Sequence, residues 1–491
     1  MKKILLSIIM VAFTFTLVAC DGDRVPGGGD RVPGGSGKLV EWYELSPDTE
    51  FDTETPVTIH FWHRMGAANE EMVTKWVTEF KEMYPNITVV LTKAGADYNQ
   101  LAEKVSLSIP AGNTPDIAES YPDHISRYAI AKAPLALNNF ISHPTLGYSE
   151  EELADFLPSL WAEGTSYDNE GTVLSLPFTK SSEGFFYNKT YFDQHSLNGK
   201  TYTEHVEAGL TWETLFEIAQ DIKSREPQAI PFGYDSEDNM FITGSEQWGA
   251  PYTGYNAETG RGEVLFNNAQ SKEMIKYFKD KVDKNLMLTR TLNAEAFTSD
   301  IFKTGEKLYM YVGSTGGTRY AYDASSFNKG VRVGVAPLPH FEGKERAQIQ
   351  QGPNINLFKQ DNEQRMIAAW LFAKYMISAE KTAEYAIPSG YAPIRYSAYE
   401  TETWTNYVAG IKENPTTLAE AQNKLVKEAI DMFRNNGDIF FTSAVFNLSS
   451  KTRTEVGPLL VKIFSYKATS DEDLNTYIDR EYQNTYNFIT N

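Results

Sequence analysis

Between Val57 and Ala118 strand and helix signals alternate, and this alternation narrows the fold more than anything else in the chain. Val57 to Trp62 (VTIHFW) is β-branched and aromatic, as a strand requires, and Glu70 to Tyr84 carries Met72, Trp76, Phe80 and Met83 at helical spacing. Pro85 and Asn86 stop that helix, and Ile87 to Leu91 (ITVVL) reads as the next strand. Asp97 to Ser108 is again helical, Pro115 interrupts, and Asp116-Ile117-Ala118 opens a third strand. Strands separated by helices pair through crossovers, so the pattern predicts an α/β protein with a mostly parallel sheet covered on both faces. Ligands of such sheets sit at the carboxyl ends of the strands. His63, Arg64 and Met65, then Tyr98, then Tyr121, Pro122, Asp123 and His124 occupy those places. His60 and His63 point to opposite faces of one strand and make no metal pair.

A chain of 491 residues is too long for one compact unit and predicts two or three. Its single cysteine rules out an intramolecular disulfide, so stability must come from core burial. A net charge of −20 repels nucleic acid and anionic headgroups alike. Tyrosines are numerous, and their flat apolar faces with polar tips suit sugar rings as well as cores.

At the N-terminus Lys2 and Lys3 precede an uncharged apolar run, Ile4 to Leu17, too short to span a bilayer but suited to a secretory leader. Leu17-Val18-Ala19-Cys20 resembles the lipobox of bacterial lipoproteins, which implies that Cys20 is diacylated and becomes the mature N-terminus. An ordinary leader with an incidental cysteine is the other reading. The segment Gly22 to Gly28 is repeated as Gly29 to Gly35, rich in glycine and proline, and reads as a flexible tether. The expected organisation is a signal peptide at 1–19, a lipidated cysteine and tether at 20–55, and a folded body from Pro56.

Farther along, Thr211 is a suitable N-cap with Glu213 in the first turn behind it. Leu308 to Val312 reads as a strand that runs into Gly313-Ser314-Thr315-Gly316-Gly317. Such a loop either caps its strand or presents N–H and hydroxyl groups to a ligand. No Gly-Lys-Ser/Thr follows, so it is not a nucleotide P-loop.

Phe61-Trp62-His63, Leu176-Pro177-Phe178 leading through Ser181 to Lys189, Thr211 to Leu215, and Ser389-Gly390-Tyr391-Ala392-Pro393-Ile394-Arg395 together resemble the family 1 extracellular solute-binding proteins of ABC importers. The likeness is greatest to the glycerol-3-phosphate-binding and oligosaccharide-binding members. It implies a two-lobe, periplasmic-binding-protein-like α/β fold with a ligand cleft between the lobes and three hinge crossovers. The sequence places these at Thr179 to Gly184, at Gly352-Pro353 and at Pro388 to Gly390. Lobe one is then 56–181 plus 353–388, and lobe two 182–352 plus 389–491. The ligand positions implied are Tyr98, Asp123, Ser181, Ser314, Gly352 and Tyr391, with Phe446 where phosphate-binding members carry an arginine. The tryptophan pair of that subgroup is replaced near Asp238, Asn239 and Phe241. An aromatic ring does not replace a guanidinium fork, so the expectation is a neutral sugar or polyol rather than glycerol 3-phosphate, unless Arg64, Arg319 or Arg395 supplies the charge. The resemblance further implies a monomer without cofactor or metal, which binds its solute unchanged and docks on a permease. A surface glycoside hydrolase drawing on Glu119, Asp123, Asp235, Glu237 or Asp238, and an adhesin with no cleft, are the competing classes.

Overall fold

The computed structural model describes residues 38–168, 170–256 and 261–491. Cys20, the leader and the duplicated segment lie outside the described residues. No helix among the described residues is long and apolar enough to cross a membrane.

Two sheets organise the molecule. In the first, the strand Val57–His63 lies between Ile87–Lys93 and Ile117–Ser120, parallel to both. Its alternate residues Ile59, Phe61 and His63 are buried against the helices that cover the sheet. One of these, Ala67–Met83, buries Val73, Trp76 and Phe80, whereas Met83, expected on the inner stripe, lies exposed at the helix end. The sheet is completed by Asn354–Leu357 and Leu176–Pro177, and Asn354–Leu357 runs antiparallel to its neighbours. The sheet is therefore mixed rather than purely parallel. The reason is topological: Asn354–Leu357 returns from the other lobe through a tight Gly352-Pro353 connection, and so enters from the opposite end.

The second sheet has the order Met287–Thr289, Phe232–Tyr234, Met310–Ser314, Ser181–Asn188, Gln348–Gln351 and Phe440–Phe441, with Val333–Ala336 also pairing to Ser181–Asn188. Ser181–Asn188 is buried along its whole length, as a central strand covered on both faces must be. The helix Trp212–Arg225 packs Trp212, Leu215, Ile218 and Ile222 beneath this sheet. Thr211 caps it as expected, its Oγ1 accepting from the Thr214 amide at 3.2 Å.

Two expectations about segment boundaries change. Residues 38–55, assigned to the tether, are packed on lobe one: Val40 and Leu45 are buried, Trp42 bridges to Ala136, and the Tyr43 hydroxyl donates to Glu363 at 2.8 Å. The composition explains it, because the glycine-rich segment ends at Gly37 and Leu39, Val40, Trp42, Tyr43 and Leu45 follow among the charged residues. The chain also remains on lobe one beyond Pro388 to Gly390. Ala392 and Ile394 belong to the lobe-one core, and Arg395 is buried with its guanidinium donating to the Ile377 and Glu152 carbonyls. Gly390 (φ 79°) is instead the left-handed cap that ends the helix Ala379–Ser389.

At the crossovers sits a buried ion pair. Lys180, 1% exposed, donates from Nζ to Glu163 Oε2 at 2.6 Å, to the Gly352 carbonyl at 2.7 Å and to Asn354 Oδ1 at 3.2 Å. Its own carbonyl accepts from the Ala392 amide at 2.7 Å. One lysine thus touches the first crossover, the second, and the segment leading to the third. Burial pushes its ammonium below the ordinary value against the pull of Glu163. Gly352 adopts φ 92°, and a Cβ there would overlap the Thr179 carbonyl, so the second crossover admits only glycine.

Candidate functional site: the interlobe cleft

A cleft of about 980 Å³ lies between the sheets, lined by residues of both. Lobe one contributes the ends of its strands. Arg64 follows Val57–His63, and Tyr121 and Asp123 follow Ile117–Ser120. Tyr98 starts the helix Tyr98–Ser108, whose N-cap Asp97 accepts from the Gln100 amide at 2.8 Å. These side chains support one another. The Arg64 guanidinium lies 4.3 Å over the Tyr98 ring, and the Tyr98 and Tyr121 rings meet edge to face at 4.9 Å. Behind them Glu119 is buried and accepts from the Arg64 amide at 2.8 Å. Burial pushes its carboxyl up to about 7, with the Arg64 amide and charge pulling the other way.

Lobe two contributes Ser314, Gly317 and Tyr320 from the glycine loop, Asp238 and Asn239 from the helix Glu237–Trp248, and Ser450 and Arg453 from the helix Ser449–Ser465. Arg453 Nε pairs with Asp238 Oδ2 at 3.0 Å, and its guanidinium also donates to Asn239 Oδ1. Glu183, on the central strand, accepts from the Tyr234 hydroxyl at 2.7 Å and from Asn239 at 3.1 Å. Burial pushes it up to about 8 despite those donors. The glycine loop packs on Tyr391: a Cβ on Gly316 would stand 2.8 Å from that ring, so a small residue is needed for the close approach.

Of the seven positions expected from sequence, Tyr98, Asp123, Ser181, Ser314 and Tyr391 are brought to this one cleft. Gly352 is not; it lines a side chamber of about 70 Å³ behind Tyr121 and Arg453. Phe446 is corrected outright. It is fully buried in the lobe-two core; its carbonyl accepts from the Ser126 hydroxyl at 3.1 Å and the Ser449 hydroxyl at 2.6 Å, and its amide donates to Ser449 Oγ at 3.1 Å. The apolar run Phe440 to Val445 leads the ring inward, and the cleft is reached only after the following helix has begun, at Ser450 and Arg453. An arginine does line the cleft seven residues further along, at Arg453. Of the other arginines considered, Arg64 lines the cleft. Arg319 is bound to the Ile387 and Pro388 carbonyls and to Asn423, and Arg395 is bound within lobe one. Sequence reasoning missed Arg453; the signal was a basic residue in the first turns of an amphipathic helix directly after the FFTSAVFNLS run.

Two α/β lobes around a cleft lined from both sides define a cleft-type binding protein. Residues 75–413 match the model of the bacterial extracellular solute-binding protein family, and the chain belongs to that family. It is a solute-binding protein of an ABC importer. The sn-glycerol-3-phosphate-binding periplasmic protein UgpB of Rhizobium meliloti is 25% identical over 389 residues, 77% of this chain and 84% of that protein. Among solved structures, UgpB of Mycobacterium tuberculosis in complex with glycerophosphocholine superposes with a TM-score of 0.65 at 18% identity, covering 88% of this chain and 99% of the other. Maltose-bound MalE3 of T. maritima gives 0.64 at 18% identity, covering 87% and 99%. At these identities the superpositions establish the fold alone. The family and these neighbours are binding proteins rather than enzymes.

Proposed function

We propose that the protein is a monomeric receptor, anchored outside the cell through a lipid on Cys20, that captures a carbohydrate-like solute (sugar, oligosaccharide or polyol) and passes it unaltered to the permease. The observation that carries this reading is a large cleft in which aromatic rings, hydroxyls and charge-compensated polar groups converge from both lobes. Tyr98, Tyr121 and Tyr391 offer faces and hydroxyls, and Asp123, Ser181 and Ser314 offer further hydrogen-bonding groups. Arg453 meets the solute already paired with Asp238, which suits neutral hydroxyls better than a free dianion. To the positions expected from sequence the proposed contacts therefore add Arg64 and Arg453 and drop Gly352 and Phe446.

A solute that touches both walls stabilises the closed arrangement by its differential contacts, and that arrangement docks on the permease. Binding rather than cleavage is supported by the carboxylates a hydrolase would draw on. Asp235 is occupied by the Thr298 and Ser299 amides, Glu237 by the Thr291 amide, and Asp238 by Arg453.

A second reading, glycerol 3-phosphate or its diesters, is favoured by one observation. The Arg64 Nε is buried without a protein partner, and Arg453 stands in the same cleft. Thermal-shift screening of maltose-type sugars, polyols and glycerol phosphates separates the two. A solute at a hundredfold excess over its Kd stabilises by about 2.7 kcal/mol, which is readily seen as a rise in Tm. A rise with sugars that are recovered intact supports the carbohydrate reading. A rise confined to the phosphates replaces it with the second, and recovery of fragments overturns both.

A further inference from the structure

Glu183 sits on a strand buried along its whole length, where an ionisable group is costly unless its oxygens find donors. Both do. Oε2 accepts from the Tyr234 hydroxyl at 2.7 Å, and Oε1 accepts from the Asn239 side-chain amide at 3.1 Å. With 1% exposure and both oxygens engaged, Glu183 acts on the cleft through its partners rather than by touching a solute.

The contact with Asn239 sets what lies in front of it. A carboxamide has a donor end and an acceptor end of nearly the same shape, so packing alone does not choose between its two orientations. Glu183 does choose: its Oε1 takes the NH2 end, and Asn239 Oδ1 then faces Arg453, whose guanidinium donates to it. The reversed amide would set an NH2 against a guanidinium that has only donors. Arg453 Nε pairs at the same time with Asp238 Oδ2 at 3.0 Å, so acceptors on two consecutive residues of the helix Glu237–Trp248 hold the fork at two points. Held there, the guanidinium reaches the Tyr121 ring of lobe one, 5.9 Å away.

Glu183 also stands where the lobes join. It follows Ser181 and Ser182, which pair with Gln351 and Gln350 beside the second crossover, and it pairs across with Ser314 of the glycine loop. Its carbonyl accepts from Gln348 at 2.6 Å. The orientation of Arg453 is thereby referred to the strand that leaves the first crossover, and not to a solvated side chain.

We propose that Glu183 is a positioning residue for Arg453: through Asn239 it fixes the direction in which the guanidinium faces the cleft, and so contributes to solute affinity without meeting the solute. That Arg453 meets the solute rests on the function proposed above; that Glu183 orients Arg453 does not.

The test pairs Glu183→Met, which removes the acceptor at similar volume, with Glu183→Gln, which keeps an oxygen for Asn239 and offers its NH2 to the Tyr234 oxygen. Arg453 is followed by nuclear magnetic resonance in protein carrying isotope-labelled arginine, through its Nε–H signal, assigned by the loss of that signal in Arg453→Ala. Affinity is measured by calorimetric titration with maltotriose and with glycerol 3-phosphate. Glu183→Met is expected to move the Arg453 signal and to weaken the probe that binds by about five- to tenfold, the loss of one hydrogen bond. Glu183→Gln is expected to restore the signal and bring affinity within about twofold of wild type. In an Arg453→Ala background, Glu183→Met should cost no further affinity. Tyr234→Phe, which breaks the other contact on the carboxyl, should lower Tm and leave both readouts in place. Should Glu183→Met not fold, Glu183→Asp draws the acceptor back by one methylene and carries the same expectations at smaller size.

An Arg453 signal that stays in place when the acceptor is removed or drawn back overturns the relay. So does a Gln variant as impaired as the Met one, an undiminished loss in the Arg453→Ala background, or a Tyr234→Phe variant that moves the signal as far. If neither probe binds the wild type, or if Arg453→Ala binds as the wild type does, the solute contact of Arg453 falls instead, and the signal alone decides for or against Glu183.

Discussion

The two walls of the cleft are built on different terms. On lobe one, Arg64, Tyr98 and Tyr121 stack on one another at the ends of parallel strands, above the buried Glu119. That wall is held together by its own contacts. On lobe two, the groups facing the cleft come from a glycine loop, an exposed rim and two helix starts, and its guanidinium is already committed to Asp238. The contrast teaches a division of labour: a tightly packed wall sets a fixed surface for a solute, and a solvated one can adapt to the solute's shape. Pre-organisation reduces the ordering that binding must overcome, while exposed polar groups keep their hydration until contact.

The largest effect should come from the pin between the walls. Lys180→Met leaves Glu163 buried without its ammonium, and unpairing a buried ion pair costs about 3–5 kcal/mol. A marked fall in Tm is expected, with much of it restored in the Lys180→Met/Glu163→Gln double variant. An unchanged Tm would mean that the crossovers do not depend on this pair.

Next come the two guanidiniums. Loss of Arg64→Ala or Arg453→Ala side chains should weaken solute binding by about ten- to a hundredfold, the range of a hydrogen bond to a charged group. Arg64→Ala should be the worse of the two for a neutral sugar, because it also removes the support beneath Tyr98. Calorimetric titration checks the order, and a larger loss at Arg453 with phosphate-bearing solutes would reverse the assignment of roles. Phe446→Leu serves as the control: lower stability from a loosened core, with affinity unchanged.

The most gradual effect is a pH dependence shared by the walls. Glu119 and Glu183 titrate near 7 and 8 in the folded protein, both raised chiefly by burial from the ordinary value of 4.5. Between 4.5 and those values the native state holds protons that the unfolded chain has released, so their contribution is full below 4.5 and is lost as pH rises. Stability should fall from pH 5 to pH 8, by on the order of 1 kcal/mol per pH unit for each carboxyl within its window. Glu183→Gln should flatten the profile at higher pH than Glu119→Gln does. Denaturant titrations across that range check it, and a profile unaltered by either substitution would place both carboxyls in contact with water.

Much of lobe one was legible because its signals are local. Strand composition in VTIHFW and ITVVL, the helical spacing of Trp76 and Phe80, and the position of Tyr98 and Asp123 just beyond strand ends are all read within a few residues. The cleft wall of lobe two was less legible, since Arg453 and Phe446 lie seven residues apart in a stretch where only the start of a helix decides which faces solvent. The packing of residues 38–55 was hidden for a similar reason: a short apolar stretch next to a glycine-rich tether has no partner in its own neighbourhood.

The sequence by itself determined the alternating α/β pattern, the absence of any intramolecular disulfide, the acidic surface charge and the family resemblance, because each depends on residue type and near spacing alone. Tertiary structure decided that Asn354–Leu357 would run against its neighbours, that Lys180 would join the crossovers, and that Arg453 rather than Phe446 would face the cleft. Those outcomes depend on which distant segments compete for the same buried space, and on the cost of leaving a charge or a carbonyl there unpaired.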